Sequence, residues 1–177
     1  MGPGPQFAPD KPPGGWLVAP AGTANSVLAE SVAASARVQT ENCDVDGHSA
    51  GRVLAGLDHP SAGVGWPGSL TFVSQGDGVW AVSDRTGNWC VGATHQQDLP
   101  GQVRVTAGGV QPCGLFRLYG SPDHRVGILS LATGAWVHVD LATTGPRHGQ
   151  LVADDTSDTP GPSDLFEFWF LGRAPTW

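Results

Sequence analysis

Charge is scarce in this chain. Only 14% of its 177 residues are Asp, Glu, Lys or Arg, and the formal net charge is −7. Lys11 is the only lysine. Without a cluster of basic residues there is no stripe to neutralise phosphates, which excludes nucleic acid as an expected partner. Adsorption to an anionic membrane fails for the same reason. No run approaches the ~18 apolar residues that a membrane span needs. Cysteine is sparse too. Cys43, Cys90 and Cys113 are the full set, and so small and odd a number speaks against a disulfide framework. The opening MGPGPQFAPDKPPGGW lacks a charged segment followed by an apolar one, so no secretory leader is expected. The expectation is a soluble, cytoplasmic protein with reduced thiols. Arginine in place of lysine, with abundant Ala, Gly, Pro and Val, points to a GC-rich bacterial genome.

The common catalytic signatures are missing as well. There is no Gly-x-Ser-x-Gly elbow and no His-Glu-x-x-His pair. Gly76-Asp77-Gly78 reads as a hairpin turn rather than a phosphate loop, because no helix follows it. No cofactor is expected.

What the chain does have is turn-forming residues and an internal echo. There are 26 glycines and 15 prolines, and 40% of the residues are apolar. That composition favours many turns, few long helices and one core. Residues 16–30 read WLVAPAGTANSVLAE, 70–84 LTFVSQGDGVWAVSD and 126–140 VGILSLATGAWVHVD. A second echo follows: Gly51-Arg-Val-Leu-Ala, Gly101-Gln-Val-Arg-Val-Thr-Ala and Gly149-Gln-Leu-Val-Ala. Leu115-Phe116-Arg-Leu-Tyr and Leu165-Phe166-Glu-Phe-Trp close two of the copies. Short alternating segments separated by turn residues give about four strands per copy. Hairpins that cannot bury their own faces must share one core. The organisation expected is a Pro/Gly-rich disordered leader over 1–15 and a single domain over 16–177, with repeats 16–67, 70–120 and 126–172. Residues 26–38 are alanine-rich and allow a helical reading. The echo instead makes Val27–Glu30 a strand.

Three repeats of four strands resemble the β-trefoil, an all-β fold with pseudo-threefold repeats of about 50 residues. Within it the chain is most similar to the fascin-like branch. The residues that carry this are Gly78 with Trp80, Gly101 to Ala107, and Phe116, matched by Gly134 with Trp136, Gly149 to Ala153, and Phe166. The Gln-x-Trp motif of the ricin-type lectin branch is absent. The resemblance implies binding through loops, and a lone trefoil does not crosslink actin.

Several residues are candidates for chemistry. The echo makes Trp80 and Trp136 equivalent, as stacking platforms for a sugar ring or as core filling. Ser26 stands where the first copy lacks that tryptophan, which marks a gap there. Trp89, in the polar stretch Gly87-Asn-Trp-Cys, is the tryptophan expected to be exposed, with Cys90 and His95 nearby. Glu30, Asp84 and Asp140 end equivalent strands, either converging on one rim or capping their own turns. His48, His95 and His148 precede the glycine motifs at unequal gaps, so no metal site is expected. Alternation puts Trp136, His138 and Asp140 on one strand face, and an Asp beside a His raises its basicity. Two functions follow. One is a ligand-binding module for a carbohydrate or another small polar molecule, using Ser26, Asp84, Trp89, His95 and Trp136. The other is a small stand-alone enzyme of cyclase or lyase type in bacterial specialised biosynthesis, with His138 and Asp140 as acid and base.

Overall fold

The computed structural model describes residues 16–20, 38–41, 51–55, 69–92, 98–120, 125–142 and 149–170. The leader, Ser26, Glu30, Cys43, His48, His95 and His148 lie outside these, as does the segment 26–37.

Twelve strands are described. They are β1 (Trp16–Pro20), β2 (Val38–Thr40), β3 (Val53–Ala55), β4 (Ser69–Gly76), β5 (Val79–Asp84), β6 (Gly87–Val91), β7 (Val103–Thr106), β8 (Phe116–Gly120), β9 (Val126–Ser130), β10 (Ala135–Val139), β11 (Leu151–Asp155) and β12 (Leu165–Phe170). Two short 3-10 helices, η1 (Pro112–Gly114) and η2 (Pro162–Asp164), lead into β8 and β12. All strand pairs are antiparallel. β1 pairs with β12 and β4, β4 with β5, β5 with β8, β8 with β9, and β9 with β12. That circuit is a closed ring of six strands, which removes the exposed edges of an open sheet. Three hairpins, β2–β3, β6–β7 and β10–β11, cap one end.

The hairpins meet around a pseudo-threefold axis. Single bridges join Arg52 to Arg104, Gln102 to Val152 and Leu54 to Gln150. The glycine echo explains how they lock. Gly51, Gly101 and Gly149 all have positive φ, at 112°, 80° and 84°, a conformation that costs glycine little. Each hands its carbonyl to the next unit: Val105 N donates to Gly51 O, Ala153 N to Gly101 O and Ala55 N to Gly149 O, each at 2.8 Å.

Alternation along the ring strands fills the interior. Leu70 and Phe72 on β4, Phe116 and Leu118 on β8, and Phe166 and Phe168 on β12 are all buried. Phe72 and Phe168 pack at 5.2 Å between centroids. From the hairpins, Val38, Trp89 and Val137 hold matching positions, opposite Ala55, Val105 and Ala153.

The strand order corrects the sequence alignment in one place. Residues 70–84 form β4–β5, which joins one unit to the next. Residues 126–140 form β9–β10, which lies inside a unit. Trp80 and Trp136 are therefore not equivalent. Trp136 takes the place of Asn88, and Trp89 takes the place of Val137. The echo is real as an apolar–turn–apolar pattern, but β4–β5 and β9–β10 share it at different places in their units.

The cysteine expectation is also corrected. Cys90 on β6 and Cys113 in η1 form a disulfide, with Cα atoms 4.8 Å apart. An odd count does not forbid a single bridge, and the ring brings together residues 23 apart in sequence. Replacing both cysteines by serine should lower the unfolding free energy by about 3 kcal/mol, from the chain entropy of the opened loop. Urea melts read this directly, and an unchanged midpoint would show that the bond stabilises nothing.

Candidate functional site

One group of polar side chains near the surface belongs to the third unit. They come from β10, β11 and η2. Opposite the Trp136–Val137 step, β11 carries one extra residue, Asp154, where the register slips. Such bulges re-aim a side chain, and here the Asp154 carboxylate lies 2.6 Å from His138 Nδ1. The His138 side chain is 22% exposed and that of Asp154 51%. His138 therefore does have a carboxylate partner, but it is Asp154 rather than Asp140. Asp140 Oδ1 accepts from Ala142 N at 3.0 Å and caps the turn that follows β10.

Two more carboxyls stand behind this pair. Asp164 in η2 is buried, and its Oδ2 accepts from Gly161 N at 2.7 Å. Burial first, and then a hydrogen bond to Asp155, pushes its pKa up to about 7. Asp155 moves the other way, to about 2, held ionised by hydrogen bonds from Asp164 and then Ser157. The Ser157 N and Oγ bonds to Asp155 Oδ1 measure 3.0 and 2.6 Å. Below about pH 7 Asp164 is therefore the member of the pair that holds a proton. It ties η2 to the end of β11, much as the disulfide ties η1 to β6 in the second unit.

The aromatic candidates have structural roles. Trp136 is 2% exposed. Its Nε1 donates to Ser157 O at 2.9 Å, and Tyr119 meets it edge-on at 5.6 Å. A Cβ on Gly127 would lie 3.0 Å from the indole and 3.2 Å from Pro160. Clamped in this way, the ring offers no face for stacking. Trp89 is 1% exposed, which overturns the expectation of an exposed loop residue. It sits on β6, and it meets Phe116 edge-on at 5.9 Å in the core. The loop reading failed because Gly87 and Asn88 belong to the strand, and the turn before them is only Arg85-Thr86. Asp84 builds that turn. Its Oδ1 accepts from Thr86 N at 2.7 Å and Gly87 N at 3.2 Å, and its Oδ2 accepts from Thr40 Oγ1. Cys90 is spent in the disulfide, so no thiol is available there.

Asp154, Asp155 and Asp164 were not singled out in the sequence. The Asp154-Asp155 doublet resembles a solvated turn, and nothing local to it indicates the bulge. Among the described residues no three His, Cys, Asp or Glu side chains stand close enough to hold a metal ion, and no helix is long and apolar enough to cross a membrane.

Comparison with solved structures settles the architecture. The chain is similar to the designed threefold-symmetric protein ThreeFoil, with a TM-score of 0.57 at 14% identity over 86% of this chain and 96% of that one. It is similar to the BEL beta-trefoil at a TM-score of 0.57 and 12% identity, over 92% and 97%. The fold is a β-trefoil. The chain is also similar to the Haemophilus ducreyi cytolethal distending toxin structure, with a TM-score of 0.56 at 14% identity over 96% of this chain and 88% of that one. At such identities the likeness establishes the trefoil and not a branch within it, fascin-like or other. No family model and no curated protein matches the sequence.

The opposed carboxyls of the trefoil's third unit make a pH prediction. Asp164 binds its proton more tightly when folded, so its stabilisation is present at low pH and is lost as pH rises from about 4 through 7. Asp155 opposes this only below about pH 4. Stability should therefore fall between pH 4 and 7, and Asp164→Asn, which keeps a neutral donor, should flatten that slope. A slope identical in both proteins would refute the proton held by Asp164.

Proposed function

We propose that the protein is a ligand-binding β-trefoil module, and that it takes a carbohydrate or another small polar molecule on the outer face of its third unit. The observation that carries this reading is the His138–Asp154 contact at the surface. The carboxylate stands beside one imidazole nitrogen, which leaves the other for a ligand. A half-exposed carboxylate accepts hydrogen bonds from adjacent hydroxyls, the chemistry by which polar groups in binding sites fix orientation. Tyr119 on β8 is part-exposed and packs edge-on against Trp136 of β10. The other residues first named for binding contribute differently. Trp89 and Trp136 act from the interior, Asp84 shapes a turn, and Ser26 and His95 lie outside the described residues.

The same contact favours a second reading, an acid–base enzyme of cyclase or lyase type in bacterial biosynthesis. His138 would move the proton, and Asp154 would take the orienting role first assigned to Asp140. Asp164 is too deeply buried to touch a substrate and acts through Asp155.

Titration calorimetry against a panel of mono- and oligosaccharides separates the two. The module reading expects a saturable glycan whose affinity drops by about tenfold or more in Asp154→Asn, the loss of one charge-assisted hydrogen bond. Wild-type affinity in a folded Asp154→Asn protein, or silence across the panel, contradicts it.

A further inference from the structure

We infer that residues 156–161 form a strap closed over Trp136 on the outside of the barrel, and that ionisation of both carboxyls at its roots, Asp155 and Asp164, releases it. Val137 and Val139 of β10 belong to the barrel core, so alternation turns Trp136 to the opposite face. It is buried there all the same. Gly127 of β9 lies against the ring, and Tyr119 of β8 meets it edge-on. The strap supplies the rest of the cover. Pro160 stands over the same glycine as the indole, and Trp136 Nε1 donates to Ser157 O at 2.9 Å.

Thr156 to Thr159 are exposed and belong to no strand, so the strap depends on its ends. At the first end, Ser157 N and Oγ donate to Asp155 Oδ1. At the second, Gly161 N donates to Asp164 Oδ2, and Asp164 N donates back to Gly161 O at 3.0 Å. A hydrogen bond between the two carboxyls then joins the roots to each other. Ionised carboxylates only accept hydrogen bonds, so this clasp needs a proton on one of them. A segment held by so few buried contacts opens at a lower free energy than the strands around it.

The neighbouring charges favour release once the proton leaves. Asp154 and Asp155 of β11 both act against an ionised Asp164. η2 has no basic residue in its last turn, and Asp158 of the strap is exposed. His138 of β10 acts on Asp155, where it favours the charged form. β8 and β9 contribute Tyr119 and Gly127. Burial, the largest cause, raises the Asp164 pKa to about 7 in the closed strap. Opening exposes that carboxyl to water and returns it toward its ordinary value. Closure therefore weakens by about tenfold per pH unit as pH rises from about 4 to 7, and levels off above. A released strap leaves the indole two residues from His138 on one face of β10, which adds an aromatic surface to the polar site. The opening itself does not depend on what that site binds.

Native-state hydrogen exchange of the full chain tests this, with the Trp136 indole N–H assigned by its loss in Trp136→Phe. The reference is the Ala153 amide, bonded to Gly101 O in the same unit. The expected result is a Trp136 protection factor below that of Ala153, falling by about tenfold per unit between about pH 4.5 and 7. Asp164→Asn keeps a neutral donor and should hold the protection nearly constant over that range. Three results would each overturn the inference: protection equal to that of Ala153 at every pH, protection independent of pH, or the same fall in a folded Asp164→Asn protein. If that variant does not fold, the wild-type series decides alone through the first two.

Discussion

Three carbonyl oxygens close this molecule. Gly51, Gly101 and Gly149 turn their backbones left-handed, and each passes its oxygen to an amide of another unit. The cycle runs from first unit to second, second to third and third back to first. None of the three hairpins can complete its pairing without a neighbour, so the cap forms only when all three are present. The ring of six strands closes by its own pairings, from β1 through β4, β5, β8, β9 and β12 back to β1. A side chain at any of these glycines would strain the turn that delivers the carbonyl.

With closure fixed by backbone, the three units are free to differ in side chains, and they do. The position filled by Val38 and Val137 holds Trp89 in the second unit, which enlarges the core on one side. The second unit fastens its 3-10 turn with a disulfide, and the third sets a buried Asp164, its pKa raised to about 7, at the same turn. β5 reaches β6 through two residues and β9 reaches β10 through residues 131–134, whereas β1 reaches β2 through 21–37. Departures from symmetry are where a pseudo-symmetric fold places what is particular to it. In the third unit they bring His138 beside Asp154 through a bulge. The disulfide also takes up two of the three thiols that the sequence reading expected to be reduced.

The fold was legible in the sequence because backbone necessity repeats itself in residue type. A left-handed turn demands glycine in every unit, and a core-facing ring position demands Phe or Leu, so the echo at 51, 101 and 149 and the closing Phe116 and Phe166 were visible. Strand identity was less legible. Apolar–turn–apolar describes β4–β5 and β9–β10 equally, which is how Trp80 came to be matched with Trp136. The candidate site was half legible. His138 stood out as a histidine within a strand, but its partner comes from the next strand through a bulge. A one-residue register slip leaves no mark in composition or spacing. Trp89 misled because Gly87 and Asn88 have turn chemistry while lying in a strand. The odd cysteine count misled because it constrains frameworks, not single bonds.

Native-state hydrogen exchange at the amides of Ala55, Val105 and Ala153 tests the closure most directly. If the cycle is one cooperative unit, these three amides are among the slowest in the chain. They then share a single opening free energy, equal to that of global unfolding, and all shift together with denaturant. If one of them exchanges through a separate, cheaper opening while the other two stay protected, the units close independently, and the account of the fold as a mutual lock is wrong.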